Sequence, residues 1–250
     1  MVPADADGRA GLPPDHVADK RAKRLLLGSP GPVRPAALKY TLVLLLTGAA
    51  GYVDAISYLA LGRVFTANMT GNTVLFGLAL VQGERGAIVR TALALGAFVA
   101  GTALGAWLVH RSGEPEHWPR GVTIALGVEC VLLAALAADR SSMLVGRVTL
   151  AALAMGVQSA AARRLDVFGI ATTFVTGMLT SLVSLVARHG VGPGGVGHGK
   201  RMLATAWGVY VLGAMAAGGL MRGIPGVSLL VPVVLVLAVV TLAVTRFWRT

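Results

Sequence analysis

The sequence predicts an all-α, polytopic transmembrane helical bundle with six to eight membrane segments in two related halves. Three observations carry that reading. The mean hydropathy is +0.74. Only 13% of residues are charged, where soluble domains carry nearer a quarter. The apolar residues fall in blocks long enough to span a bilayer, about 20 residues each. Barrel strands would alternate over about 10 residues, and these blocks do not. Helices satisfy their own backbone in lipid, so the blocks are read as helices.

Residues 1–36 are rich in Pro, Gly, Asp and basic residues and have little to bury. They are expected to be a disordered cytoplasmic tail, with the transmembrane domain occupying 37–250 and repeat halves at about 38–138 and 143–245. The first apolar run, Tyr40 to Leu61, continues well beyond the short core of a signal peptide and is read as an uncleaved span. The further segments fall at about 68–82, 87–110, 120–138, 143–162, 168–187, 203–222 and 226–245. Segment 68–82 is the weak one, because its apolar part, Val74 to Val81, is too short to cross. It fits either a span with an unwound start or a re-entrant hairpin, and the latter requires shielding by protein or water.

The net charge of +11 does not point to nucleic acid. Lys20, Arg21, Lys23, Arg24, Arg34 and Lys39 sit just before the first span, the placement that fixes a cytoplasmic N-terminus and attracts anionic lipid. Of 22 basic residues, 16 fall on the inner side and 6 on the outer, whether there are six spans or eight. Both termini are therefore expected on the cytoplasmic side. The bilayer is the expected partner, with a small polar solute or proton and a second copy of the chain as further candidates. No cofactor is expected.

Asp54 stands inside the first span, where a carboxylate costs a few kcal/mol or more unless it faces protein or water. It could bind a proton or cation, or pair with a buried arginine; its bland role is a brace between helices. Beyond it, Asn68, Thr70, Gly71 and Asn72 could contact a solute, although Asn and Thr are also preferred N-caps.

An internal repeat is visible. Thr66-Ala67-Asn68-Met69-Thr70-Gly71 is echoed by Thr172-Thr173-Phe174-Val175-Thr176-Gly177, and Gly51-Tyr52-Val53-Asp54 by Gly156-Val157-Gln158-Ser159. Paired interruptions of this kind mark the midplane site of a transporter. Halves of an eight-span chain would be parallel repeats; those of a six-span chain would be inverted. Gln158, Thr172, Thr173, Thr176 and Gly177 are the second half's pathway candidates. Glu129, near the middle of 120–138, is a second buried carboxylate and the natural partner for a proton relay. Arg147 in the next span could neutralise it or Asp54 as part of a charge relay, or form a permanent ion pair with Glu129.

These residues resemble a known family. Gly51-Tyr52-Val53-Asp54-Ala55, Val64-Phe65 and Met69-Thr70-Gly71-Asn72 are similar to the opening signature of the YoaK-like family. Met155-Gly156-Val157-Gln158 through Arg163-Arg164 to Thr176-Gly177 is similar to its other marked stretch. The resemblance covers about residues 38–245. It implies a bacterial multi-spanning inner-membrane protein without an established biochemical function. Ser159 departs from the pattern, which leads one to expect an amide after the glutamine.

Other motifs have bland readings. Gly101-x-x-x-Gly105 permits close helix packing. Gly194 to Lys200 imitates a phosphate-binding loop, but Arg201 replaces the Ser or Thr and no strand precedes it. His189 and His198 lack further ligands at metal-binding spacing. Cys130 is the only cysteine and excludes an intrachain disulfide. No nucleophile, base and orienting group stand together, so an enzyme is not expected. The sequence thus points to a small-solute carrier or channel, with a non-transporting membrane scaffold as the rival.

Overall fold

The computed structural model describes residues 33–111, 118–139, 143–165, 167, 175–189 and 197–248. The helices are α1 (Val33–Ala60), α2 (Met69–Gln82), α3 (Arg85–His110), α4 (Arg120–Ala138) and α5 (Leu144–Leu165). They are followed by α6 (Val175–His189), α7 (Gly197–Gly223), the short α8 (Pro225–Ser228) and α9 (Leu230–Phe247). Six of them, α1, α3, α4, α5, α7 and α9, are long and apolar enough to cross a membrane. At 1.5 Å per residue, the 14 residues of α2 reach only about 21 Å, short of a hydrocarbon core of about 30 Å. The 15 residues of α6 fall short in the same way.

Contacts between helices fix their directions. α1 runs toward Gly62. The Arg90 Nε donates to the Gly62 carbonyl at 3.2 Å, and Leu144 packs against the same glycine, so α3 and α5 both start at this face. They run away from it side by side. A Cβ on Gly101 would collide with the Leu153 carbonyl, and one on Gly156 with the Phe98 carbonyl. α7 accompanies α1 instead: the Tyr40 hydroxyl donates to the Met202 carbonyl at 3.1 Å, and Tyr52 and Ile56 cluster with Ala217 farther along. At the opposite face, Trp118 at the start of α4 stacks on Phe247 at the end of α9, with ring centroids 5.4 Å apart.

The close glycine contacts repeat. Gly51 meets the Tyr210 carbonyl as Gly156 meets that of Phe98, and Gly213 meets Gly48 as Gly101 meets Leu153. Gly51 therefore corresponds to Gly156, Gly213 to Gly101, and Tyr210 to Phe98. Because α1 and α5 run in opposite directions, the halves are inverted. This is the arrangement that six spans require, and it decides against the eight-span alternative.

The core is built mostly from small residues. Ala49, Ala50, Ala151, Ala152, Ala154 and Ala161 are fully buried along α1 and α5. In lipid, where apolar side chains gain little by leaving the solvent, such residues let backbones approach and gain dispersion contacts. α1 and α5 form the centre, and the amide of Gln158 ties them by donating to the Leu46 carbonyl at 3.0 Å.

Candidate functional site

The first polar interruption is a re-entrant hairpin. After Ala60 the chain turns at Gly62 (φ 83°) and Arg63 (φ 61°). This left-handed pair asks glycine of the first position and strains the second. Residues 64–68 then fold back beside α1 to the level of Asp54, six residues below its end, or about 9 Å. From there α2 returns. It closes at Gly83 (φ 70°), whose N–H caps the Ala79 and Leu80 carbonyls. Ala79, Gln82 and Glu84 end up lining the same recess as Gly62. Entry and exit therefore share one face.

Asp54 holds this hairpin in place. Its Oδ1 accepts from the backbone amides of Thr66 at 2.8 Å, Ala67 at 2.7 Å and, more distantly, Asn68 at 3.4 Å. Its Oδ2 accepts from the Tyr210 hydroxyl at 2.5 Å. The carboxylate is 3% exposed. Non-helical backbone at this depth leaves amides that lipid cannot satisfy, and one acidic side chain satisfies them together.

The neighbouring polar groups do similar work. Asn72, fully buried, accepts from the Phe65 N–H at 2.9 Å and donates to the Phe65 carbonyl, pairing with both backbone groups of that residue as a neighbouring strand would. The Ser57 and Thr66 hydroxyls bond each other at 2.9 Å. Asn68 is the N-cap of α2 and accepts from Gly71 N at 3.2 Å. A Cβ on Gly71 would press on the Phe65 ring at 2.9 Å, so close packing demands glycine there.

Two predicted pathway residues stand elsewhere. Thr70 is exposed, because two helical residues are about 200° apart and Asn72 takes the inward direction. Thr176 is exposed for the same reason, opposite the buried Met178. Gly177 is half-buried in the first turn of α6. Thr172 and Thr173 lie outside the described residues.

The charge relay is not assembled either. Glu129 is fully buried in α4, with neither oxygen hydrogen-bonded among the described residues, and Arg147 Nε is likewise buried without a partner. The expected ion pair is not formed. Arg147 lies in the first turn of α5, toward the Gly62 face, whereas Glu129 sits near the midpoint of its own helix.

The inverted repeat shows which features are peculiar to one half. By the glycine correspondence, Asp54 matches Ser159, Ser57 matches Ala162, Tyr210 matches Phe98, and Asn72 matches Met178 in the Thr-Gly alignment. The first hairpin's polar clasp thus has largely apolar counterparts in the second half. Sequence reasoning missed Tyr210 and Ser57. Tyr210 is 156 residues from its partner. The signal available for it was its place at the middle of a span, away from the interfaces where tyrosine is usual.

α5 ends and α7 begins at the face opposite Gly62, so the segment carrying α6 also enters and leaves by one face. The two short helices therefore lie on connections that start and end at opposite faces of the bundle.

A family model described as "Protein of unknown function (DUF1275)" matches residues 42–243. The chain is 41% identical over 152 residues to a Bacillus subtilis (strain 168) protein named "UPF0700 transmembrane protein YoaK", covering 59% of this chain and 67% of that protein. No solved structure matches.

Proposed function

We propose that this chain, which belongs to the DUF1275 family of membrane proteins of unknown function, is a secondary transporter or channel for a small polar solute. The observation that carries this reading is the pair of short, interrupted segments at corresponding positions of inverted halves. In transporters of that plan the solute site lies where such interruptions approach the midplane. The uneven placement of basic residues supports both termini on the cytoplasmic side of a bacterial inner membrane, with the Gly62 face outside.

Asp54 acts in this reading as the clasp of the first hairpin and does not contact solute. Its four donors occupy both oxygens. Glu129 takes over the role of ion- or proton-binding group. It is a fully buried acid with no hydrogen-bond partner among the described residues, and an ionisable residue in a span is a functional candidate by default. Gln158, fully buried where α5 meets α1, would line the pathway. No step requires bond-making chemistry, so the protein is not read as an enzyme.

The test begins with a thermal-shift screen of the purified chain against pools of small polar metabolites, since a ligand of the folded form raises the melting temperature. A hit is then added to vesicles containing the protein and a trapped pH dye. Wild-type protein is expected to move the solute together with protons. Glu129→Gln is expected to keep the thermal shift and lose proton movement. Folded protein that neither shifts with any pool nor moves any solute would end the transport reading. The saturated, buried surroundings of Asp54 favour a second reading, a non-transporting scaffold, and that outcome would support it.

A further inference from the structure

The Gly62 face carries a recess of about 450 Å³ between the α1–α2 turn, α2 and the start of α3. This is within the range of roughly 300–1,000 Å³ typical of small-molecule sites. Its walls bear Arg63, Arg90, Gln82 and Glu84, and its apolar side is formed by Leu75 and Leu78.

The charges are of both signs and form no ion pair with one another among the described residues. Arg90 spends its Nε on the Gly62 carbonyl, and its terminal nitrogens make no hydrogen bond among the described residues. Glu84, the N-cap of α3, makes no side-chain cap bond and joins no ion pair among the described residues. Arg63 is exposed, on a backbone with φ 61°. Beside the recess, the outward surface of α2 is strongly apolar: Val74, Leu78 and Val81 are 60%, 51% and 90% exposed. The recess therefore lies where the span ends meet the headgroup layer, next to a surface suited to acyl chains.

We propose that this recess binds the headgroup of a phosphoethanolamine lipid, with Arg63 and Arg90 on the phosphate, Glu84 on the ammonium and the acyl chains along Val74, Leu78 and Val81. Guanidinium groups match phosphate oxygens with paired N–H donors. A carboxylate beside them selects a headgroup that also carries a cation with N–H donors. Phosphocholine has the charge without those donors, and phosphoglycerol has neither. The proposal stands whether or not the protein transports a solute.

The full chain, purified in detergent, is titrated with phosphatidylethanolamine, phosphatidylcholine or phosphatidylglycerol. Retained lipid is read by native mass spectrometry and melting temperature in parallel. Wild-type protein is expected to prefer the ethanolamine lipid by about tenfold, the worth of one charge-assisted hydrogen bond. Glu84→Gln should bring the ethanolamine and choline lipids level, and Arg63→Gln should weaken all three. Both residues are exposed, so the lipid-free melting temperature should stay unchanged and serve as the folding control. Equal binding of the three lipids by wild type, or an ethanolamine preference that survives Glu84→Gln, overturns the proposal. Soluble phosphoethanolamine stabilising as well as the lipid would also overturn it, making the recess a solute site.

Discussion

Replacing Asp54 with leucine removes the acceptor for the two short amide bonds from Thr66 and Ala67 and for the Tyr210 hydroxyl. Leucine is close in size, so packing is largely kept while three buried donors are orphaned. At roughly 1–3 kcal/mol per orphaned buried donor, the loss comes to about 3–9 kcal/mol. Asp54→Asn behaves differently. An amide oxygen can still accept from the backbone N–H groups, and the tyrosine hydroxyl can rotate to accept from the amide nitrogen. The loss is then mainly that of charge assistance, on the order of 1–2 kcal/mol. The assay is the melting midpoint of the purified protein in a mild detergent, compared across variants at one pH. A chain of this size shifts by about 2–4 °C per kcal/mol, so Asp54→Leu should fall by at least about 6 °C and Asp54→Asn by clearly less. Hydrogen exchange should show the Thr66 and Ala67 amides losing protection in the leucine variant. A leucine variant within about 2 °C of wild type, with those amides still protected, would refute the clasp.

Tyr210→Phe installs the residue that the other half carries at Phe98; it should cost roughly 1–2 kcal/mol in the same assay while leaving the Thr66 and Ala67 amides protected. Gly156→Leu should prevent assembly of the bundle, because its first side-chain carbon already strikes the Phe98 carbonyl, whereas Gly96→Ala meets nothing within 4 Å and should be neutral or slightly stabilising. Size-exclusion profiles of the two variants check this pair. Asn72→Met, copying Met178, should expose the 64–68 segment to limited proteolysis by freeing the backbone N–H and carbonyl of Phe65. Thr70→Ala, on the exposed side of the same turn, should leave that digestion pattern unchanged.

Much of the architecture was legible because lipid constrains it so strongly. A span needs a long apolar run, and segment 68–82 betrayed its exceptional role by lacking one. The Thr-Gly echo and the paired glycines at 51 and 156 carried the repeat. Its inversion followed only from span count, which charge placement could not decide, since 16 basic residues faced 6 under either count. The site was less legible. Asp54 was recognisable as a buried acid, but its main partners are backbone amides, which leave no mark on a sequence. Helical phase was the one available signal for Thr70. Counting two residues from Asn72 puts it on the far side of the helix, so those two could not both have faced α1. Glu129 and Arg147 show the limit of pairing by charge: sequence separation says nothing about depth, and they sit at different levels of their helices.

The first hairpin's return to its own face is the claim on which the inverted plan depends, and side-specific cysteine labelling tests it most directly. With Cys130 replaced by alanine, single cysteines at Arg63, Glu84, Arg164 and Lys200 are exposed to a membrane-impermeant maleimide in oriented vesicles. Positions 63 and 84 are expected to label from one side and positions 164 and 200 from the other. Labelling of 63 and 84 from opposite sides would mean that residues 69–82 cross the bilayer, and would contradict the inverted plan.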